Sequence, residues 1–224
     1  MVSLYVKIYL PLLNIQYYFM RINHVIKTLI LSDFYLNIGL GLFGPIFAIF
    51  VTKQIQGGSI EVVGFAAGIT QLVKVILEIP IARYLDKNHG EYDDFYSMIL
   101  GGILISLAPF LYIFASQTYH IYLIQASYGV GLAFLVPPWY AIFSRHLDKL
   151  HENIEWSFES VSIGIATAAS AAIGGIMANR FGFKTVFIIA GILAFFSIFQ
   201  QIKIYKDLKE KVKRGTVKPE VKSL

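Results

Sequence analysis

The feature that most constrains this chain is a series of apolar runs, each about 20 residues long. A helix of that length crosses the roughly 30 Å hydrocarbon core of a bilayer. The sequence predicts six such spans, namely Thr28–Val51, Glu61–Tyr84, Phe95–Ala115, Tyr119–Phe143, Ser157–Asn179 and Phe183–Ile204. The connections between them are short, so consecutive helices are antiparallel neighbours. The predicted fold class is an all-α, polytopic membrane protein whose membrane domain covers 28–204.

Composition and charge agree with a membrane location. Hydrophobic residues make up 56% of the chain and charged residues 15%, whereas soluble domains have about 45–50% and about 25%. The net charge of +5 lies entirely in the tail after Gln201. A basic tail (205–224) after the last span indicates a cytoplasmic anchor beside anionic lipid rather than nucleic-acid binding. The predicted location is a plasma or inner membrane.

Lys and Arg residues are concentrated on one side of the predicted membrane. All 19 lie in the termini and in loops on that side, except Lys53, Arg180 and Lys184 on the other side and Lys74 within the second span. Because cytoplasmic loops carry the excess of these residues, both termini are predicted to be cytoplasmic.

Residues 1–27 precede the first predicted span as a cytoplasmic or interfacial segment. Met1–Phe19 is apolar and aromatic but includes Lys7, and it lacks the cleavage site of a signal peptide. Two interpretations stay open, an interfacial helix and an over-extended start with Met20 as the natural first residue.

The fifth span carries small residues along one helix face. These are Gly164, Ala168, Ala172 and Gly175. Small residues four apart let two membrane helices approach closely. This span is therefore predicted to lie in the middle of a bundle or at an interface with another bundle.

Patterns for other functions are weak or absent. Gly39, Gly41 and Gly44 fit a dinucleotide-binding spacing, but they lie inside a span and not between a strand and a helix. His146 and His151 are better explained as solvated loop residues than as metal ligands. The sequence contains no motif of a hydrolase, zinc protease or phosphate-binding loop. No enzyme activity, cofactor or metal is predicted.

Three segments carry a family resemblance. The second span ends in ARYLDKNHG (82–90), the fourth contains QASYGVG (125–131), and AIGGIMANRFGFK (172–184) joins the fifth to the sixth. These segments resemble motifs of the major facilitator superfamily of transporters. The first differs from the family loop signature in having Ala82 for a glycine and an extra residue before Gly90. In the second, Gln125 stands where the family usually has an arginine.

The resemblance implies a six-helix half built from two inverted repeats of three helices. It also implies a second half, because one half cannot alternate between facing in and facing out. Under the resemblance, Asp86 would hold helices closed at the cytoplasmic face, and a solvated turn residue is the alternative. The gating motif is predicted to consist of Ala82, Asp86, Lys87, Gly90 and Arg145, with Lys87 and Arg145 as charge partners of Asp86.

Ionisable side chains inside the spans are the candidate binding residues. A charge at the centre of a span costs about 2.5–3.5 kcal/mol on insertion scales, so something must compensate for it. Lys74 and Glu78 are four residues apart and share a helix face. We expect a cavity that binds substrate or a proton, lined by Asp33, Asn37, Gln71, Lys74, Glu78 and Gln125. The alternative is that Lys74 and Glu78 only neutralise each other at a helix contact.

The sequence thus predicts a half-sized secondary transporter that moves a small solute with a second half, as a homodimer or with a separately encoded partner. Two other interpretations remain. One is a non-transporting assembly or regulatory subunit, and the other is a fragment of a full-length carrier.

Overall fold

The computed structural model describes residues 22–87 and 90–208. In chain order its helices are α1 (His24–Phe43), α2 (Phe47–Gln54), α3 (Ile60–Asp86), α4 (Tyr92–Tyr112), α5 (Thr118–His146) and α6 (Glu152–Ile202). Short 3-10 helices at Gly44–Ile46 and Lys203–Asp207 follow α1 and α6. The predicted all-α class is confirmed. Met1–Phe19 and most of the basic tail lie outside the described residues.

The start of α1 and its junction with α2 follow from local sequence. The Asn23 side chain accepts a hydrogen bond of 2.9 Å from the Val25 N–H, so it caps the first turn of α1. Pro45 lies at the beginning of the 3-10 turn, where its missing N–H breaks few backbone hydrogen bonds. As a result α1 and α2 form one apolar segment, His24–Gln54, with a local change of helix type.

Within the described residues, five helical segments are long and apolar enough to cross a membrane. They are His24–Gln54, Ile60–Asp86, Tyr92–Tyr112, Thr118–His146 and Glu152–Asp207. The last of these covers both the fifth and the sixth predicted spans. Its helical geometry is broken at Gly182, which has φ 79° and ψ 167°, a conformation that glycine adopts at little cost. We call 152–181 the first arm of α6 and 183–202 its second arm.

Helix α1 packs against both arms of α6. A Cβ atom built on Gly39 would lie 2.6 Å from the Ala190 carbonyl oxygen of the second arm. Gly41, half a turn along α1, abuts the Ser170 hydroxyl of the first arm. Ser170 and Ala190 therefore lie at similar heights along α1. Because Gly39 and Gly41 point to nearly opposite sides of α1, this helix lies between the two arms.

The remaining helices complete one bundle. α5 packs against α3 and α4, and α4 also packs against α6. Buried apolar side chains form one cluster around Trp139 and Phe143 and another around Phe50 and Tyr112. These two clusters lie toward opposite ends of α5 and of α1–α2.

The small residues of the first arm occupy two faces. Ala166, Ser170 and Gly174 are buried, and Gly174 lies against the backbone of Leu42. The face named from the sequence is a different one, on which Gly164, Ala168 and Ala172 are exposed and Gly175 is half-buried. The structure leaves that face uncovered by the rest of the described chain.

Candidate functional site

Two carboxyl groups from distant parts of the chain meet inside the bundle. Asp33 on α1 and Glu159 on the first arm of α6 lie against each other, and Asp33 also lies against the Trp139 indole of α5. Glu159 is only 4% exposed. The Glu159 carboxyl oxygens, the Trp139 N–H and the buried oxygen of Asp33 have no hydrogen-bond partner outside this group of three side chains. No Lys or Arg of the described chain forms an ion pair with either acid.

The acidic pair lines a cavity of about 120 Å³. Its lining residues are Asp33, Leu135, Val136, Trp139, Tyr140, Trp156, Glu159 and Ile163. The three contributing helices are α1, α5 and the first arm of α6. Tyr140 is exposed and Trp156 is half-buried, so the cavity opens at this rim.

Aromatic rings form one wall of this cavity. The ring centroids of Trp139 and Trp156 are 6.2 Å apart, and those of Tyr140 and Trp156 are 6.0 Å apart. Phe143 supports the two indoles from behind, with its centroid 4.8 Å from Trp139 and 4.5 Å from Trp156. The rings therefore hold one another in fixed positions.

The polar residues predicted in the second span form a separate group on α3. The Lys74 Nζ and a Glu78 carboxyl oxygen are 3.9 Å apart, and the two side chains are 24% and 32% exposed. Gln71 is exposed one turn away. Gln125 of α5 contacts Thr70, whose hydroxyl also donates to the Gln125 carbonyl oxygen at 3.0 Å.

The structure thus divides the predicted cavity residues between two places. Asp33 lies with Glu159, whereas Lys74, Glu78, Gln71 and Gln125 lie along α3 and its contact with α5. Asn37 is next to Asp33 on α1, but its side chain donates to the Asp33 backbone carbonyl at 2.9 Å. The Asn37 amide is therefore used in a hydrogen bond to the backbone of its own helix.

The predicted gating motif lies at the end of α3. Asp86 is the last residue of that helix and its side chain is exposed, as is Lys87. Ala82 is half-buried and Gly90 is buried. His89 lies outside the described residues.

Arg145 has a different partner from the one predicted. Its guanidinium binds the Asp94 carboxylate, which is 5% exposed in the first turn of α4. The neighbouring His146 has its Nδ1 3.6 Å from a Glu91 carboxyl oxygen. The expected pairing of Arg145 with Asp86 is therefore corrected to Asp94, because α5 ends against the start of α4.

The sequence model of the Major Facilitator Superfamily matches residues 29–222. The chain belongs to the Major Facilitator Superfamily. It is accordingly an integral, multi-pass membrane protein of a transporter-type superfamily, in contact with the lipid bilayer. A search of curated proteins gives no match to the chain.

Membership in this superfamily agrees with the position of the glycines that fit a dinucleotide-binding spacing. Gly39 and Gly41 are buried within α1 against Ala190 and Ser170. They serve helix packing and offer no loop of free N–H groups to a phosphate. Among the described residues, no group of three or more His, Asp or Glu side chains could hold a metal ion.

Of the residues that line the acidic cavity, sequence reasoning named only Asp33, and it missed Glu159, Trp139 and Trp156 among others. Glu159 lies inside the predicted fifth span, so the rule that selected Glu78 as an intramembrane acid also applied to it. Trp139 and Trp156 are the 2 tryptophans of the chain. Their shared location follows from packing between α5 and α6, and no spacing along the sequence indicates it.

Proposed function

We propose that the chain is one six-helix half of a secondary transporter, which moves a small solute across the membrane together with a second half. The buried pair of Asp33 and Glu159 carries this proposal. Intramembrane acids without a basic partner are costly and are usually retained for binding a solute or an ion. The pair also lines a cavity shared by three helices, which is where membrane carriers place their binding groups.

The length of α6 supports six crossings. With 51 residues at 1.5 Å each, a straight helix would be roughly 77 Å long, against about 40–45 Å for a whole bilayer. The arms on either side of Gly182 measure roughly 45 Å and 30 Å. Since both arms contact α1 at similar heights, each arm is proposed to cross the membrane separately. Six crossings allow the three-plus-three inverted repeat expected from the resemblance.

The uncovered faces of α3 and α6 support a second half. In the most apolar 18-residue stretch of α3, only 17% of the residues are buried inside the protein, against 56% in the corresponding stretch of α4. A Cβ atom added at any of four glycines on these helices would meet no other atom within 4 Å, and these are Gly64, Gly68, Gly164 and Gly175. Faces with such small residues suit close contact with other membrane helices. The second half would be another copy, a separate chain or the remainder of a longer carrier.

The charge distribution supports a cytoplasmic position for both termini. The His24 Nδ1 at the start of α1 lies 2.9 Å from an Asp207 carboxyl oxygen just after α6. The start of the first described helix and the end of the last one are therefore on the same side of the bundle. The helix ends at that side carry basic residues, with Arg83 in the last turn of α3 and Arg145 in the last turn of α5. The positive-inside rule then assigns this end to the cytoplasm.

A cross-linking experiment tests the second half. The chain contains no Cys, so a single introduced Cys reports one position. Ala172→Cys lies on the uncovered face of the first arm, and Ile192→Cys, at 56% exposure on the second arm, is the matched control. We expect cross-linked pairs in native membranes from position 172 but not from position 192. Equal cross-linking at both would overturn the assignment of this face.

Uptake measurements test transport itself. The purified chain, with its cross-linked partner, is reconstituted into vesicles and assayed with a panel of radiolabelled solutes. We expect uptake of at least one solute that is lost in Asp33→Asn and in Glu159→Gln. A stable partner with no uptake of any solute would instead indicate a non-transporting assembly or regulatory subunit.

A further inference from the structure

We propose that Asp33, Glu159 and the two tryptophans form a binding site for the head group of a small organic cation, such as a quaternary ammonium. This inference names a substrate class for the cavity and rests on the proposed transport function. The site is built by residues that lie far apart in the sequence, on α1, α5 and α6.

The two acids supply the charge. Glu159 is 4% exposed, and its carboxyl oxygens have no partner other than Asp33, with which it lines the cavity. Two such groups in a water-poor site repel each other when ionised, and no base of the described chain offsets them. A bound cation would offset both at once.

The aromatic wall distinguishes an organic cation from other positive ligands. The faces of Trp, and then of Tyr, attract a cation within about 6 Å, and they favour alkylated ammonium groups that hold little water. Aromatic ring faces provide no acceptor atom for a proton. They also provide no oxygen ligands for Mg²⁺ or Ca²⁺, each of which requires about six or more. Trp139, Trp156 and Tyr140 line the cavity beside the acids.

The cavity volume limits the bound group. At about 120 Å³, the space exceeds a single water, which occupies about 30 Å³ in the liquid. It is smaller than the roughly 300–1,000 Å³ of a pocket for a drug-sized ligand. The site therefore suits a compact head group, and any further part of the solute would extend past Tyr140 and Trp156 at the open rim.

The native fluorescence of the chain tests this site directly, because both tryptophans line the cavity. The full chain in lipid nanodiscs is titrated with choline and, separately, with 3,3-dimethylbutan-1-ol, in which carbon replaces the charged nitrogen. We expect a saturable change of tryptophan emission with choline and none with the uncharged analogue. An equal response to both compounds, or no response to choline, would overturn the proposal.

Two variants locate the charge that choline requires. Asp33→Asn and Glu159→Gln should each weaken the apparent affinity for choline by about tenfold or more, since each removes a buried carboxyl group that faces the cation. Glu152→Gln is the control, because Glu152 is an exposed acid on the same helix. Unchanged affinity in both cavity variants would overturn the proposal. If either variant fails to fold, the comparison of choline with its uncharged analogue on the native chain still decides.

Two further titrations separate the competing ligands. A fluorescence response to acidification alone, with none to choline, would assign the acids to a proton and overturn the organic-cation site. A response to Mg²⁺ that choline does not reproduce would likewise overturn it. Choline binding without flux would refute the proposed transport function but support the organic-cation site. Uptake of other solutes without choline binding would support the transport function and refute the organic-cation site.

Discussion

Gly174 and Gly175 are neighbours in the sequence but face different sides of α6, because successive helix residues point about 100° apart. A Cβ atom on Gly174 would overlap the backbone carbonyl of Leu42 in α1, whereas one on Gly175 would meet nothing within 4 Å. The buried face joins α6 to α1, and the open face is the one assigned to a second half. The pair therefore allows the internal packing and the outer surface to be tested separately.

Gly174→Ala should destabilise the bundle, and Gly175→Ala should not. Both changes gain about 1 kcal/mol of helix propensity, but overpacking a close helix contact costs about 1–3 kcal/mol. We expect a lower thermal midpoint in detergent for Gly174→Ala and an unchanged or higher one for Gly175→Ala. Equal midpoints for the two variants would contradict the close contact between α1 and α6.

Glu159→Leu should stabilise the protein while it removes cation binding. Glu159 has no hydrogen-bond partner beyond Asp33. A buried, poorly satisfied polar group costs about 1–3 kcal/mol, and leucine of similar size removes that cost. Thermal unfolding followed by light scattering or circular dichroism measures the gain. Glu152→Leu, at an exposed position of the same helix, should stay within about 0.5 kcal/mol. A destabilised Glu159→Leu would show instead that the contact between Glu159 and Asp33 stabilises the bundle.

The helices of this fold were predictable because apolar runs of membrane length follow directly from composition along the chain. The pairing of Lys74 with Glu78 was predictable for a similar reason, since residues four apart on a helix are always neighbours. Both features depend on local sequence. The junction of the fifth and sixth spans differs from the prediction, because in the structure one non-helical residue, Gly182, separates the two arms of α6.

The acidic cavity could not be located from local sequence in the same way. Asp33 and Glu159 meet because small residues let α1 approach α6, and that contact joins residues far apart in the chain. The partner of Arg145 shows the same limit. Asp86 and Asp94 lie on either side of one turn, and only the direction of α4 relative to α5 decides that Asp94 is bound.

The Arg145–Asp94 ion pair should couple α5 to α4 energetically. Asp94 is 5% exposed while Arg145 is 40% exposed, so solvent screens part of the interaction. A double-mutant cycle with Asp94→Ala and Arg145→Ala should give a coupling energy of about 1 kcal/mol. Asp86→Ala, at an exposed position, should show no coupling with Arg145→Ala. Coupling to Asp86 instead of Asp94 would restore the partner expected from the gating motif.

Exchange of Lys74 and Glu78 distinguishes a binding role from mutual neutralisation. The double variant Lys74→Glu/Glu78→Lys keeps an i,i+4 pair of opposite charges, now in reversed order, so the cost of isolated charges in the membrane is avoided. If the pair binds a solute or an ion, uptake should fall at least tenfold, as it should in Lys74→Ala and in Glu78→Gln, with normal membrane insertion in all three. If the pair serves only to neutralise charge, the exchanged variant should transport at the native rate while the single variants insert poorly. Uptake and insertion measured on the same membranes decide between these outcomes, because the exchanged variant alters the position of each charge and leaves their sum unchanged.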